Sequence, residues 1–218
     1  GMSDDREAAR TYLAGETGNR MNAPLVDAFL ENGPEMVSFF EKNTALQFEH
    51  RAFSPDYHPD REGAAMGGRV LDAVDYDGRR LGKNFDALRP PIADFTVFGG
   101  MMLNRFDIGH FMKMTRSPRS ALHAAGLLLR HLGDRLTHKR GTRLVLGQAV
   151  AGRLAESVFE LGIPMFLETG LTGISKDDGK VTGVRVDHKG VPMDIIANRG
   201  VVLATGGFPQ DAARRAEH

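Results

Sequence analysis

Several groups of residues in this chain have the types, though not always the spacing, that chemistry needs. His123, His131 and His138 fall on one predicted helix at intervals of eight and seven. Metal ligation from a helix wants intervals of three or four, so these histidines are read as solvated. Asp56, Asp60 and Glu62 could form an acid–base cluster, but beside Pro55 and Pro59 they are expected to shape turns. Gly63-Ala-Ala-Met-Gly-Gly68 is rich in glycine, yet it follows no predicted strand and opens no helix, which a phosphate loop requires. The sequence carries no G-x-x-x-x-G-K-[ST], H-E-x-x-H, G-x-S-x-G or complete G-x-G-x-x-G. The strongest signal is Gly200-Val-Val-Leu-Ala-Thr-Gly-Gly-Phe208, a predicted buried strand running into paired glycines. Such a turn lets backbone N–H groups approach a ligand without Cβ interference, and it serves equally as a tight turn.

The elements that would position these groups can be read from periodicity and caps. Asp4 and Asp5 can cap a helix carrying Ala8, Ala9, Tyr12 and Leu13. Leu25, Val26, Phe29 and Leu30 mark a second helix, and Asn32-Gly33-Pro34 is predicted to end it and begin a third with Met36, Val37, Phe39 and Phe40. Thr44–Phe48 reads as a short strand. From His50 to about Arg105 periodicity fails, and a stretch of that length is expected to be packed against something or to line a ligand site. Ser117-Pro118 opens the clearest helix, with Leu122, Ala125, Leu129, Leu132 and Leu136 at steps of three and four. Ala149, Val150, Leu154, Val158 and Leu161 mark another, which Gly162 is placed to end. Strands are predicted at Ile163–Glu168, Leu171–Ser175, Lys180–Asp187, Val191–Ala197 and Val201–Ala204, with Asp178-Gly179 and Lys189-Gly190 as hairpin turns.

Composition bounds the function. In 218 residues, 28 Lys and Arg balance 28 Asp and Glu, which removes the basic footprint of a general nucleic-acid binder. The absence of cysteine excludes a disulfide scaffold, thiolate metal sites, iron–sulfur clusters and thiol catalysis, and it fits a cytoplasmic setting. No apolar run approaches the roughly 20 residues of a membrane span. Gly 26 and Pro 10 together exceed the usual share of roughly 12% and imply many turns. Gly1 before Met2 reads as a tag-cleavage remnant.

Lys180-Val-Thr-Gly-Val-Arg-Val186 followed by Gly200–Phe208 resembles the second fingerprint of the fumarate reductase/succinate dehydrogenase flavoprotein superfamily. Gly141-Thr-Arg-Leu-Val-Leu-Gly-Gln-Ala-Val150 and the helix to Gly162 resemble the stretch before that family's β-meander. Asn32-Gly-Pro-Glu-Met36, Pro55-Asp-Tyr-His-Pro59, Gly67-Gly-Arg69 and Gly99-Gly-Met-Met102 resemble its ketosteroid dehydrogenase branch. The resemblance runs through nearly the whole chain in consistent order. It departs from the family at the first strand–G-x-G-x-x-G–helix unit, which is absent, and the sequence stops just after Thr205-Gly206-Gly207 where a further domain is expected. The fold it implies is α+β, a partial FAD-binding domain lacking the first βαβ unit. Residues 1–140 would be a helical, loop-rich insertion, and 141–218 a helix plus antiparallel meander ending in a strand that contacts FAD.

The resemblance also implies site residues. Leu171 falls where a meander backbone meets the adenine, Ala204, Thr205 and Gly206 fall beside the cofactor, and Gly147 and Gln148 start the helix of the shared stretch. Tyr57 is the nearest match to a tyrosine placed beside the substrate, where a buried phenol could polarise a carbonyl or shuttle a proton; a packed loop aromatic is the other reading. The implied activity of the parent is FAD-dependent dehydrogenation of a carbonyl-activated C–C bond in a 3-ketosteroid-like, hydrophobic substrate. Without the pyrophosphate cradle, the chain alone is expected to bind FAD weakly or not at all and to be inactive. A non-catalytic module is one alternative. A fumarate reductase-type dicarboxylate enzyme anchored by Arg51, Arg61 and Arg69 is another. Apolar surface left uncovered would favour a homodimer.

Overall fold

The computed structural model describes residues 5–207, 209 and 211–217; Gly1, Asp4 and Phe208 lie outside them. Packing groups the described residues into two units, one up to Ile163 and one from Pro164 onward.

The first unit opens with helix α1 (Arg6–Thr17), capped by the Asp5 carboxylate, which accepts from the Glu7 N–H at 3.0 Å. Helix α2 (Ala23–Asn43) starts on Asn22 and runs through Pro34 without a break. The sequence predicts two helices here. They merge because Pro34 forfeits a single donor, the one owed to the Leu30 carbonyl. Gly33 has no Cβ to crowd the proline ring, so it keeps its helical conformation.

The expected strand at Thr44–Phe48 forms further on, as β1 (Phe48–His50), because the Thr44 hydroxyl and N–H are spent on the Phe40 carbonyl at the end of α2. Strand β1 pairs antiparallel with β2 (Leu71–Ala73), and β3 (Tyr76–Asp77) pairs with β4 (Arg143–Leu144). Two 3-10 segments, Gly78–Ala87 and Ala93–Phe95, complete a stretch that the periodicity leaves irregular. Helix α3 (Arg105–Lys113) goes unread in the periodicity but carries a capping box. Asn104 accepts from the N–H groups of Phe106 and Asp107, and Asp107 accepts from the Asn104 N–H.

Helix α4 (Pro118–Arg135) begins on Ser117 as predicted, yet its leucine stripe faces outward. Leu122 is 77% exposed and Leu136 87%, while Ser120, Ala124, His131 and Asp134 are buried. Polar contacts decide the rotation. Asp134 accepts from both the N–H and the hydroxyl of Thr142 at 2.8 Å, and His131 Nε2 meets the Phe98 carbonyl at 2.9 Å. The reading of His131 as solvated is therefore corrected.

Helix α5 (Leu146–Glu160) closes the core formed by Tyr76, Leu81, Phe85, Met102, Leu144, Val145, Ala149 and Ala155. Gly162, with φ +65°, follows its end.

The second unit is a three-stranded antiparallel meander, β5 (Thr169–Asp177), β6 (Lys180–His188) and β7 (Val191–Ile196). Both predicted turns form, with positive φ at Asp178, Gly179, Lys189 and Gly190, as two-residue primed turns require. The strands expected at Ile163–Glu168 and Val201–Ala204 do not form. Glu168 at φ +52° turns the chain before β5. Residues 201–207 find no partner strand among the described residues, and an extended segment without one satisfies no ladder. Helix α6 (Ala212–Glu217) follows.

Candidate functional site

The loop carrying Tyr57 is held by its neighbours on both sides. Asp56 Oδ2 accepts from the Ala65 N–H at 2.8 Å and from Arg69 Nη1 at 2.7 Å, which folds the loop back on itself. The His58 N–H donates to the Tyr12 hydroxyl at 3.1 Å, and its Nδ1 lies 2.8 Å from Glu16. Arg61 reaches the Gly15 carbonyl at 2.6 Å. A Cβ on Gly63 would stand 2.1 Å from the Ala8 carbonyl oxygen and one on Gly67 2.1 Å from the Ala52 carbonyl oxygen, so these two glycines serve close packing, on α1 and on the preceding loop, rather than phosphate binding. Within this scaffold Tyr57 projects outward and is 98% exposed. It is presented to whatever binds from outside rather than sheltered by this chain.

In the second unit, Leu171 pairs with Val186, and the register slips between Leu171 and Gly173. A bulge there re-aims the strand next to the expected adenine contact. Ala204, Thr205 and Gly206 are exposed, and Gly206 adopts φ +78°. No backbone hydrogen bond engages 201–207 among the described residues, which leaves the N–H groups of 204–206 open to an incoming acceptor. Gly147 and Gln148 lie in the first turn of α5, which has no side-chain cap. Gln148 Nε2 donates to the Arg89 carbonyl at 3.1 Å, whereas a Cβ on Gly147 would meet nothing, so nothing within the chain requires glycine there. Exposed main-chain donors at a glycine turn suit FAD, whose pyrophosphate and flavin carbonyls are acceptors. On that observation the residues fit the cofactor.

The electrostatics separate the alternatives. Arg51 pairs with Asp72, Arg61 with Glu16 at 3.1 Å and Arg69 with Asp56. Each arginine that could anchor a dicarboxylate is already matched to a carboxylate of the protein. Hydrogen bonds from Arg51 outweigh burial and hold Asp72 below the usual carboxylate range. Asp60 and Glu62 remain exposed, so the expected acid–base cluster does not assemble.

A polar group of His110, Ser120, Asp107 and His123, the last of which its spacing alone marks as solvated, lies between α3 and α4. His123 Nε2 meets Asp107 Oδ1 at 2.9 Å, His110 Nδ1 meets the Ser120 hydroxyl at 3.1 Å, and the two imidazoles stack with centroids 4.4 Å apart. The Asn104-x-x-Asp107 spacing was its one visible signal.

The whole chain, residues 1–218, matches the family described as FAD binding domain. It is 33% identical over 216 residues to a 4-oxocyclohex-2-ene-1-carboxylate 5-dehydrogenase of Sinomonas cyclohexanicum, covering 99% of this chain and 36% of the relative. It is 33% identical over 228 residues to a 3-oxosteroid 1-dehydrogenase of Mycobacterium tuberculosis, covering 100% and 39% respectively. In three dimensions it is similar to the 3-ketosteroid delta1-dehydrogenase of Sterolibacterium denitrificans, solved in complex with 1,4-androstadiene-3,17-dione. The TM-score is 0.83 at 28% identity, over 100% of this chain and 40% of that one. The chain thus spans well under half the length of the relatives it matches.

Proposed function

Because the chain belongs to the FAD binding domain family, we propose that it serves a longer flavoenzyme that dehydrogenates a ring C–C bond next to an oxo group, in a 3-ketosteroid or a smaller cyclic ketone. The observation that carries this reading is the likeness along the whole chain to dehydrogenases whose names pair an oxo group with a dehydrogenated ring position. The already paired Arg51, Arg61 and Arg69 weigh against a dicarboxylate substrate.

An oxo group acidifies the neighbouring C–H, so the reaction needs a base for one proton and an acceptor for the adjacent hydride. FAD, when bound, supplies the hydride acceptor. The chain's own part is orientation. The main-chain N–H groups of Ala204, Thr205 and Gly206 would hold the cofactor's acceptors, and the Leu171 backbone would hold the adenine. Gly147 and Gln148, at the start of α5, are proposed as cofactor contacts on the resemblance alone. The Tyr57 hydroxyl, presented outward, would donate to the substrate's oxo oxygen and stabilise the charge that builds there.

The full-length protein purified natively is expected to show flavin absorbance and to desaturate a 3-ketosteroid or an oxocyclohexane carboxylate but not succinate. Lack of both flavin and FAD binding would overturn the reading. For the chain alone, isothermal titration with FAD is expected to show binding weaker than micromolar, since no G-x-G-x-x-G cradle is present; micromolar affinity would show the meander and turn to suffice.

Among the described residues no helix is long and apolar enough to cross a membrane. We place the protein in the cytoplasm, which cell fractionation checks. The exposed leucine face of α4 supports a homodimer.

A further inference from the structure

Tyr57 is 98% exposed, and among the described residues its hydroxyl has no hydrogen-bond partner. Its direction is therefore set by its main chain, which is held on both sides. Before it, Asp56 is tied to the far arm of the loop. The Asp56 N–H donates to the Ala65 carbonyl at 3.0 Å, and its carboxylate accepts from the Ala65 N–H and from Arg69. After it, the His58 N–H donates to the Tyr12 hydroxyl at 3.1 Å, and Tyr12, on α1, is only 8% exposed. That N–H belongs to the rigid peptide plane that begins at the Tyr57 carbonyl, so holding it fixes ψ of Tyr57. The Arg69 guanidinium, paired with Asp56, also lies over the Tyr12 ring at 5.9 Å from its centroid and joins the two anchors. The His58 imidazole meets Glu16 as well, but that side chain is half exposed, and its own torsions separate it from the main chain.

We propose that Tyr12 is a positioning residue. From α1, its phenol oxygen accepts from the peptide that follows Tyr57 and thereby aims the Tyr57 hydroxyl at the oxo oxygen of the substrate. The inference rests on the role given to Tyr57 above. An exposed donor that must meet an oxygen gaining charge depends on a preset backbone, because a displacement of about 1 Å can cost about a hundredfold in rate. Tyr12 acts through the main chain rather than on the substrate.

The test measures the full-length flavoenzyme with 4-androstene-3,17-dione, in single and double variants of Tyr12 and Tyr57. Tyr57→Phe should lower kcat about a hundredfold, the loss expected for one donor to a developing oxyanion. Tyr12→Phe keeps the ring and removes only the hydroxyl. It should lower kcat about tenfold with KM and flavin content unchanged, the mark of an interaction made in the transition state. Deuterium exchange of the 56–60 segment should quicken about fivefold in the same variant, the value of one hydrogen bond. Added to Tyr57→Phe, Tyr12→Phe should change kcat by less than about twofold, because no hydroxyl is left to aim. If Tyr57→Phe itself stays within about twofold of the parent, the role of Tyr57 falls and the inference with it. If Tyr57→Phe is impaired while Tyr12→Phe keeps its kcat, the inference alone is overturned. A loss on Tyr12→Phe that persists undiminished in the double variant would also overturn it.

Discussion

Asp107 is 1% exposed at the start of α3 and accepts from His123, from the Asn104 N–H at 2.9 Å and from Arg143 at 2.7 Å. Burial alone would push its carboxyl up, and those hydrogen bonds together outweigh it, so the group sits below its ordinary value. Its stabilising contribution is therefore present above the ordinary carboxylate pKa and is lost as pH falls through the depressed value. Asp107→Asn should cost on the order of 1–3 kcal/mol, since Arg143 loses one of its two carboxylate partners and keeps Asp75, and should flatten the acid limb of urea stability measured from pH 2 to 5. Tyr76 behaves in the opposite sense. Burial and the nearby Glu156 carboxylate push its phenol up to about 12. The fold then holds its proton more tightly than the unfolded chain, so stability falls as pH rises between about 10 and about 12. Tyr76→Phe should remove that decline while changing neutral-pH stability by only about 1 kcal/mol, a difference that denaturant curves at pH 9 and 11 would reveal.

Among the elements, α5 is the one most closely fitted to its surroundings. A Cβ on Gly152 would stand 2.7 Å from the Tyr76 ring and 3.0 Å from a Leu144 methyl. Gly152→Ala should therefore destabilise the protein by about 1–3 kcal/mol despite the better helix propensity of alanine, as thermal unfolding would show. The ends of this helix and of α4 are legible in the sequence, because Ser117, Pro118 and Gly162 act within a turn of their own position. The merger of two predicted helices into α2 is less so. Pro34 in isolation reads as a start signal, and only Gly33 beside it makes passage cheap. The expected strand at Val201–Ala204 illustrates the limit differently. An apolar run specifies extended backbone only where a neighbouring strand takes up its hydrogen bonds, and the described residues offer none. The same openness leaves the 204–206 donors available for the proposed cofactor.

Across the whole molecule, apolar helix faces are left uncovered. The exposed face comprises Leu122, Leu129 and Leu132 of α4 and Leu136 just past its end; on α2 it includes Leu25, Phe29 and Phe39. If the α4 face joins two copies, light scattering at high concentration should give the mass of a dimer, and Leu129→Glu with Leu132→Glu should return it to a monomer. Their exposure predicts that the double variant keeps its circular dichroism spectrum and its stability to within about 0.5 kcal/mol. A monomer in the parent chain would count against that interface. By itself the sequence determined the caps that start α1 and α4, the end of α5, both primed hairpin turns and the likeness to FAD-dependent dehydrogenases, because caps and turns are hydrogen bonds among residues a few positions apart. Only the tertiary structure decided which face of α4 is buried and that Arg51, Arg61 and Arg69 are already paired. It also decided that Tyr57 points outward while Asp56 beside it points in. Those outcomes depend on partners far along the chain, such as Asp107 with Arg143, whose approach no local pattern encodes.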